Sequence, residues 1–406
     1  LCRGGFYNYR FLPHLNVTKP AHLCQLNPSP PAPLPRGGEG SQQTCHGTSL
    51  HLPYPTMRKI RLLVVDDSVI IRQKLSEILS QDPFLDVVGI AANGQIALSK
   101  IPHLQPDLII LDVEMPKMDG LQTLTAIRQS YPNLPVIMFS AFTERGAAAT
   151  LEALSLGAQD YVTKPTKLGT GEAVSDYLKR ELIPKIKVFC ADILGVSDNT
   201  PIARSRLPSQ TATLKLAKAQ VVAIGVSTGG PNALATLLSR FPADFPLPIV
   251  IVQHIPPLFS KRLAERLTHQ CHISVAEGYE GAELRPGHAW ITPGDFHGIV
   301  VRRGKTVHLS LHQAPPEHSC RPAVDVLFRS VAKTFPGSAI AVVLTGMGQD
   351  GLQGCHHIRD AGGHILVQDE ASSVVWGMPK SVAQAGLANN ILPLDQIADE
   401  IIQLVC

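Results

Sequence analysis

What this chain lacks narrows its role before any motif is read. It has eight cysteines, but none forms a C-x-x-C pair or a zinc-ribbon spacing. Cys190, Cys271, Cys320, Cys355 and Cys406 are widely scattered, as expected of reduced thiols in a cytoplasmic protein. His356-His357 has no HExxH-type partner, so it reads as a surface pair and not a metal centre. No apolar stretch approaches the roughly twenty residues needed to span a bilayer. Direct membrane insertion is therefore not expected, and any membrane proximity must come through a partner. Residues 1–56 hold no basic segment followed by a continuous apolar run, so export is not expected. The formal charge of +3 sits entirely in the first 56 residues, where Arg3, Arg10, Lys19 and Arg36 face only Glu39. Removing those from 36 basic and 33 acidic residues leaves 32 of each. Such neutrality gives no argument for nucleic-acid binding.

Residues 1–56 carry the proline-rich Pro28-Ser-Pro-Pro-Ala-Pro-Leu-Pro35 and little regular pattern. They read as a disordered tail or an over-extended reading frame, with Met57 the expected natural start. Beyond them, 350 residues are too many for one ordinary core and suit two α/β domains. The expected division is a first domain over 57–188, a linker over 189–218 and a second domain over 219–406. The linker is read from Gly195, Ser197, Asp198, Asn199, Pro201 and Pro208. In both domains apolar runs alternate with helix-like spacing, which predicts doubly wound parallel sheets. Turn-rich residues 273–311, with Pro286-Gly287, Pro293-Gly294 and Arg303-Gly304, predict antiparallel hairpins attached to the second sheet.

In the first domain, polar residues gather where apolar strands end. Ile60-Arg-Leu-Leu-Val-Val ends in Asp66-Asp67, and Asp107-Leu-Ile-Ile-Leu ends in Asp112. Pro135-Val-Ile-Met-Phe ends in Ser140, and Asp160-Tyr-Val-Thr ends in Lys164-Pro165. Carboxylates gathered at one edge of a parallel sheet repel one another unless a divalent cation such as Mg2+ neutralises them. A carboxylate in that setting can attack a phosphoryl group.

The second domain repeats the strand-end pattern with different residue types. Val221-Val-Ala-Ile-Gly-Val leads into Ser227, within Gly225-x-Ser227-x-Gly229, the form of a strand-to-helix turn that presents a nucleophilic hydroxyl. Pro248-Ile-Val-Ile-Val-Gln ends in His254, and Ala339-Ile-Ala-Val-Val-Leu-Thr leads through Gly346-Met-Gly-Gln to Asp350. In an open parallel sheet, ligands bind beyond the carboxyl ends of the strands. A serine there needs an imidazole to take its proton and a carboxylate to orient that imidazole. The order Ser–His–Asp departs from the Ser–Asp–His order of α/β-hydrolases and disfavours that family. Backbone N–H groups of Thr228 and Met347 are the candidate donors for an oxyanion.

The first series resembles the receiver domain of bacterial response regulators. The resemblance implies a flavodoxin-like fold, Asp112 as phospho-acceptor, Asp66, Asp67 and Asp112 around Mg2+, and Ser140 and Lys164 as the switch pair. The second domain resembles the chemotaxis methylesterase family, CheB. The strings that carry this are Gly225-Val-Ser-Thr-Gly-Gly230, Gln253-His-Ile-Pro-Pro257, Pro286-Gly-His-Ala-Trp-Ile-Thr-Pro-Gly294, Arg321-Pro-Ala-Val-Asp-Val-Leu-Phe328, Thr345-Gly-Met-Gly-Gln-Asp-Gly351 and Trp376-Gly-Met-Pro379. This resemblance implies a protein-glutamate methylesterase and glutamine deamidase using Ser227, His254 and Asp350, with no cofactor in that domain. It also implies chemoreceptor substrates, a chemotaxis histidine kinase as phosphodonor, and inhibition of the esterase by the unphosphorylated receiver. Two other outcomes stand beside it: a DNA-binding output, disfavoured by the lack of a basic helix-turn-helix region, and a catalytically silent receptor-docking regulator.

Overall fold

A computed structural model describes residues 58–165, 171–195 and 219–405. The expected tail 1–56, Met57 and residues 196–218 of the expected linker lie outside the described residues.

The first half alternates strands and helices without exception up to its last helix pair. They are β1 (Ile60–Val65), α1 (Val69–Ser80), β2 (Leu85–Ala91), α2 (Gly94–Leu104), β3 (Leu108–Asp112), α3 (Gly120–Ser130), β4 (Val136–Ser140), α4 (Glu144–Ser155), β5 (Asp160–Thr163), α5 (Gly171–Glu181) and α6 (Ile183–Phe189). The strands pair in the order β2-β1-β3-β4-β5, all parallel, the doubly wound flavodoxin-like order. Successive side chains of a strand face opposite ways, and the apolar runs are sorted accordingly. Leu63, Val65, Ile109, Leu111 and Met138 pack under α2, α3 and α4. Leu62, Val64, Ile110, Ile137 and Phe139 pack under α1, α5 and α6. Ser68 caps α1 through its side chain, accepting from the Ile71 N–H. Residues 190–195, read from sequence as linker, stay with this half, because Cys190 and Leu194 continue the apolar face of α6 into its core.

The second half comprises β6 (Val221–Val226), α7 (Gly230–Leu238), β7 (Ile249–Gln253), α8 (Phe259–Gln270), β8 (Ser274–Glu277), β9 (His288–Ile291), β10 (His297–Arg303), β11 (Thr306–His312), α9 (Val324–Thr334), β12 (Ala339–Val343), α10 (Leu352–Asp360), β13 (His364–Gln368), α11 (Met378–Gln384), β14 (Asn390–Leu392) and α12 (Leu394–Val405). Seven of these strands form a sheet in the order β14-β13-β12-β6-β7-β9-β8, every pair parallel. The turn-rich region therefore yields one antiparallel hairpin, β10–β11, and not several. β8 and β9 instead extend the parallel sheet, because β9 buries Ala289, Trp290 and Ile291 beside β7.

The direction in which strands are added reverses at β6: β7 lies on one side of it and β12 on the other. That is a topological switch point, where a crevice opens beyond the strand ends. The apolar cluster under α7 and α8 is also continuous with the one under α4 of the first half, joining Leu151, Leu154 and Tyr161 to Phe259 and Leu263.

Candidate active site and acidic pocket

The register of the second sheet brings Ser227, His254 and the 345–350 loop together. Ser227 follows β6 and donates its backbone N–H to Thr345 O (3.0 Å), while the His254 N–H donates to Val226 O (3.0 Å). Both bonds extend the ladder one step past the strands. The left-handed residue of the turn is Gly229, at φ +78°, and not the serine. This differs from the strained serine of an α/β-hydrolase elbow. Gly346 is needed for a second reason: a Cβ there would lie 2.7 Å from Ser227 Cβ.

His254 and Asp350 meet directly, with Nε2 2.7 Å from Oδ2. Asp350 is almost wholly buried, yet its carboxylate is saturated by donors. Oδ2 also accepts from the Val324 N–H (2.7 Å), and Oδ1 accepts from Asp325 N–H and Gly351 N–H (both 2.9 Å). Val324 opens α9, so the carboxylate sits on the positive end of a helix. Burial alone would raise the Asp350 pKa, but the hydrogen bond and charge of His254 and these amides hold it below its ordinary value. Burial likewise works against a charged His254, but the bond to Asp350, with a smaller part from the Cys320 thiol, pushes its pKa up to about 10.

Ser227 lines the same cleft, of about 700 Å³, as His254 and Asp350. Its hydroxyl makes no hydrogen bond to His254 among the described residues. Thr228 and Met347 also line this cleft, and neither backbone N–H donates to another described residue. Gln253, completely buried at the end of β7, donates from Nε2 to Ser227 O (2.9 Å) and His254 O (3.1 Å). It clamps the two strand ends together.

The acidic pocket of the first sheet lies at its own switch point, between β1 and β3. Asp66 and Asp112 are buried and Asp67 is exposed, with carboxylate oxygens of all three within 4.8 Å of one another. Lys164 Nζ bridges Asp66 Oδ2 and Asp112 Oδ2 at 2.8 Å each. Beyond that lysine, neither buried oxygen has a hydrogen-bond partner. Burial pushes the Asp112 pKa up to about 6, against the opposing pull of Lys164 and with a push from the Asp66 charge. A hard divalent cation binds such oxygens, and this donor set fits the metal site that a receiver domain implies. Ser140 is fully buried at the end of β4 and its hydroxyl donates to Gly146 O (3.1 Å) in the first turn of α4.

The two halves meet beside the cleft. Tyr161 of β5 stacks on Phe259 of α8, with ring centroids 4.9 Å apart and planes 3° from parallel. Asn232 Nδ2 donates to Leu154 O (2.7 Å) and Arg266 Nη1 to Leu151 O (2.8 Å), both towards the C-terminal end of α4. Receiver residues Thr163, Tyr177 and Lys185 form part of the wall of the cleft that holds Ser227.

Four site neighbours escaped the sequence reading: Gln253, His318, Cys320 and Asp325. Gln253 and Asp325 stood inside strings that carried the resemblance, but nothing in their spacing gave either a role. His318 and Cys320 reach the cleft through a loop whose left-handed residues, His318 (φ 52°) and Ser319 (φ 61°), have no glycine to announce them.

Two switch-point sites on two parallel sheets define a class: a response regulator that carries its own α/β effector domain. Residues 62–173 match the response regulator receiver domain and residues 222–401 match CheB methylesterase. The chain is 58% identical over 354 residues to a protein-glutamate methylesterase/protein-glutamine glutaminase of Trichodesmium erythraeum, covering 86% of this chain and 100% of that one. A protein of the same name from a Nocardioides species is 46% identical, over 86% of this chain and 96% of its own. The chain is also similar to the crystal structure of the Thermotoga maritima CheB methylesterase catalytic domain, at 40% identity, 47% of this chain and 100% of that one, with a TM-score of 0.46. The chain belongs to the CheB methylesterase family, with a response regulator receiver domain ahead of the methylesterase domain. No helix among the described residues is long and apolar enough to cross a membrane.

Proposed function

We propose that this chain hydrolyses glutamate methyl esters on chemoreceptors, and deamidates receptor glutamines, with Ser227 as nucleophile, His254 as base and Asp350 as its orienting carboxylate. The observation that carries the reading is the 2.7 Å His254–Asp350 bond in a cleft shared with Ser227; the relatives' names supply the substrate class. His254 takes the Ser227 proton as Oγ bonds to the ester carbonyl carbon. The oxyanion is received by the free N–H groups of Thr228 and Met347. The C–O bond to methoxide then breaks, methanol leaves with the proton from His254, and water repeats the sequence to release glutamate and restore the serine. With an amide in place of the ester, the leaving group is ammonia.

In the receiver, we assign Asp112 as phospho-acceptor, Asp66, Asp67 and Asp112 to Mg2+, and Ser140 and Lys164 to the phosphoryl oxygens. When bound, the cation would offset the charge of the incoming phosphoryl group. A chemotaxis histidine kinase is the expected donor, and the cytoplasm the expected location. Domain limits at 57–188 and 219–406, with 1–56 outside both and a linker between, are part of the same reading. Because the receiver shares the wall of the cleft, its unphosphorylated form obstructs a receptor helix.

The direct test is methanol release from methylated receptor membranes. Ser227→Ala is expected to abolish it while the protein stays folded, since only one hydroxyl is lost. A folded Ser227→Ala protein that retains most of its activity would remove the serine assignment. A silent wild type that still accepts phosphate would point to the docking role instead.

A further inference from the structure

Beside the His254–Asp350 pair lies a second imidazole–carboxylate pair that no step above uses. Asp325, the second residue of α9, is 1% exposed. Its Oδ2 is 2.8 Å from His318 Nε2, and its Oδ1 accepts the Gly354 N–H at 2.6 Å. Its own backbone N–H donates to Asp350 Oδ1 at 2.9 Å. His318 Nε2 is 4.0 Å from that same oxygen and lines the cleft with Ser227.

These bonds form a chain of constraint with Asp350 in the middle. Asp350 is aimed at His254 by donors from two backbone segments: the start of α9 (Val324 and Asp325) and its own loop (Gly351). Asp325 adds a second side-chain tie beside that of Asp350, from α9 to Gly354 in the first turn of α10. In this arrangement Asp325 accepts on both oxygens, from Gly354 and from His318. Burial raises its pKa, and the neighbouring Asp350 charge adds to that, while the Gly354 and His318 bonds oppose it. Arg329, one turn along α9, is the nearby cation, but it is engaged with Glu317 at 2.5 Å. His318 is therefore the group placed to keep Asp325 accepting.

We propose that His318 and Asp325 are positioning residues for the esterase: they fix the carboxylate of Asp350, and through it the ring of His254. Neither touches the reacting atoms. The inference rests on the esterase reading for its activity arm only. Losing the His318 donor leaves a buried carboxylate short of one hydrogen bond, lets the α9–α10 junction loosen, and frees Asp350 to rotate.

The test compares His318→Leu with His318→Gln, which keeps an N–H donor, in the full chain. Methanol release from methylated receptor membranes is measured beside the low-field proton resonance of the His254–Asp350 hydrogen bond. His318→Leu is expected to lower kcat about tenfold, the scale of one hydrogen bond to a charged group, with KM unchanged and the resonance broadened or lost. His318→Gln should recover most of both. Asp325→Asn, which keeps an acceptor for Gly354, should reproduce the leucine phenotype and substitutes for it if His318→Leu does not fold. An unchanged resonance in a folded His318→Leu protein overturns the proposal, as does a glutamine variant as damaged as the leucine one. If the wild type released no methanol, the esterase reading would fall, while the resonance would still decide the positioning role.

Discussion

At the residue scale, two groups with raised pKa values have different readouts, one in stability and one in rate. Asp112 has a folded pKa of about 6 against an ordinary 3.8, so the folded receiver binds this proton more tightly than the unfolded chain. Its contribution to stability is complete below about pH 4 and is lost as pH rises through about 6, at a cost on the order of 3 kcal/mol. Asp112→Asn should then melt higher than wild type at pH 7 in cation-free buffer. That gap should close towards pH 4, and Mg2+ should raise the melting temperature of wild type alone. A variant no more stable than wild type at pH 7 would contradict the burial argument. For His254 the shift to about 10 is produced by Asp350 together with Cys320 against the pull of burial, and the base is needed in its neutral form. The esterase rate is therefore expected to climb with near-unit slope in log rate from pH 7 to pH 9. Asp350→Asn should lower the maximum rate and move the rise to lower pH. A flat wild-type profile across that range would show that the resting imidazole is already neutral.

At the element scale, α4 is the part that meets both the switch residue Ser140 and the second half. Its first turn accepts from Ser140, and its C-terminal half accepts from Asn232 and Arg266 of the other half. Leu154 O is one of the last four carbonyls of α4, which lack an i+4 partner within the helix, and the Arg266 guanidinium at Leu151 O meets the negative end of the macrodipole. Each such bond is worth about 1 kcal/mol net. An Asn232→Ala/Arg266→Ala protein should therefore show basal methanol release raised several-fold to about tenfold, with the phosphodonor-stimulated maximum unchanged. Unaltered basal activity would mean these caps do not hold the obstructing arrangement. None of this was legible in the sequence, because it depends on two elements more than 75 residues apart being pressed together. The parallel strands were legible, since continuous apolar runs such as Val221–Val226 and Ile249–Gln253 are buried on both faces. So was the placing of Ser227, His254 and Asp350 at neighbouring strand ends. β8 and β9 were not, being four residues each amid turn signals; their pairing is decided by burial of Trp290 and Ile291 beside β7. His318 and Asp325 were missed because their meaning lies in contacts to Asp350, which no periodicity encodes.

At the scale of the whole molecule, the receiver and the esterase share one apolar cluster and one cleft wall. Coupling between them must then be a difference in the stability of two packings. Phosphorylation of Asp112 adds charge and acceptor oxygens next to Lys164 and Ser140. If the Ser140 hydroxyl turns to the phosphoryl group, it leaves Gly146 O, and the first turn of α4 loses its side-chain tie to the end of β4. The far end of the same helix bears the caps from Asn232 and Arg266, so the displacement is delivered to the interface without any further moving part. Tenfold activation requires about 1.4 kcal/mol of differential stability, no more than the caps themselves supply. The expected outcome is that a small-molecule phosphodonor with Mg2+ raises methanol release by the whole chain, and that Asp112→Asn does not respond. A fragment of residues 219–406 is expected to be active without phosphodonor, at or above the stimulated rate of the whole chain. Its solubility is the accompanying check, since removing the receiver exposes Phe259, which is fully buried here; Phe259→Ser in the fragment addresses that exposure. A soluble fragment no faster than the unphosphorylated whole chain would overturn obstruction as the mode of control and leave phosphorylation to act on receptor binding.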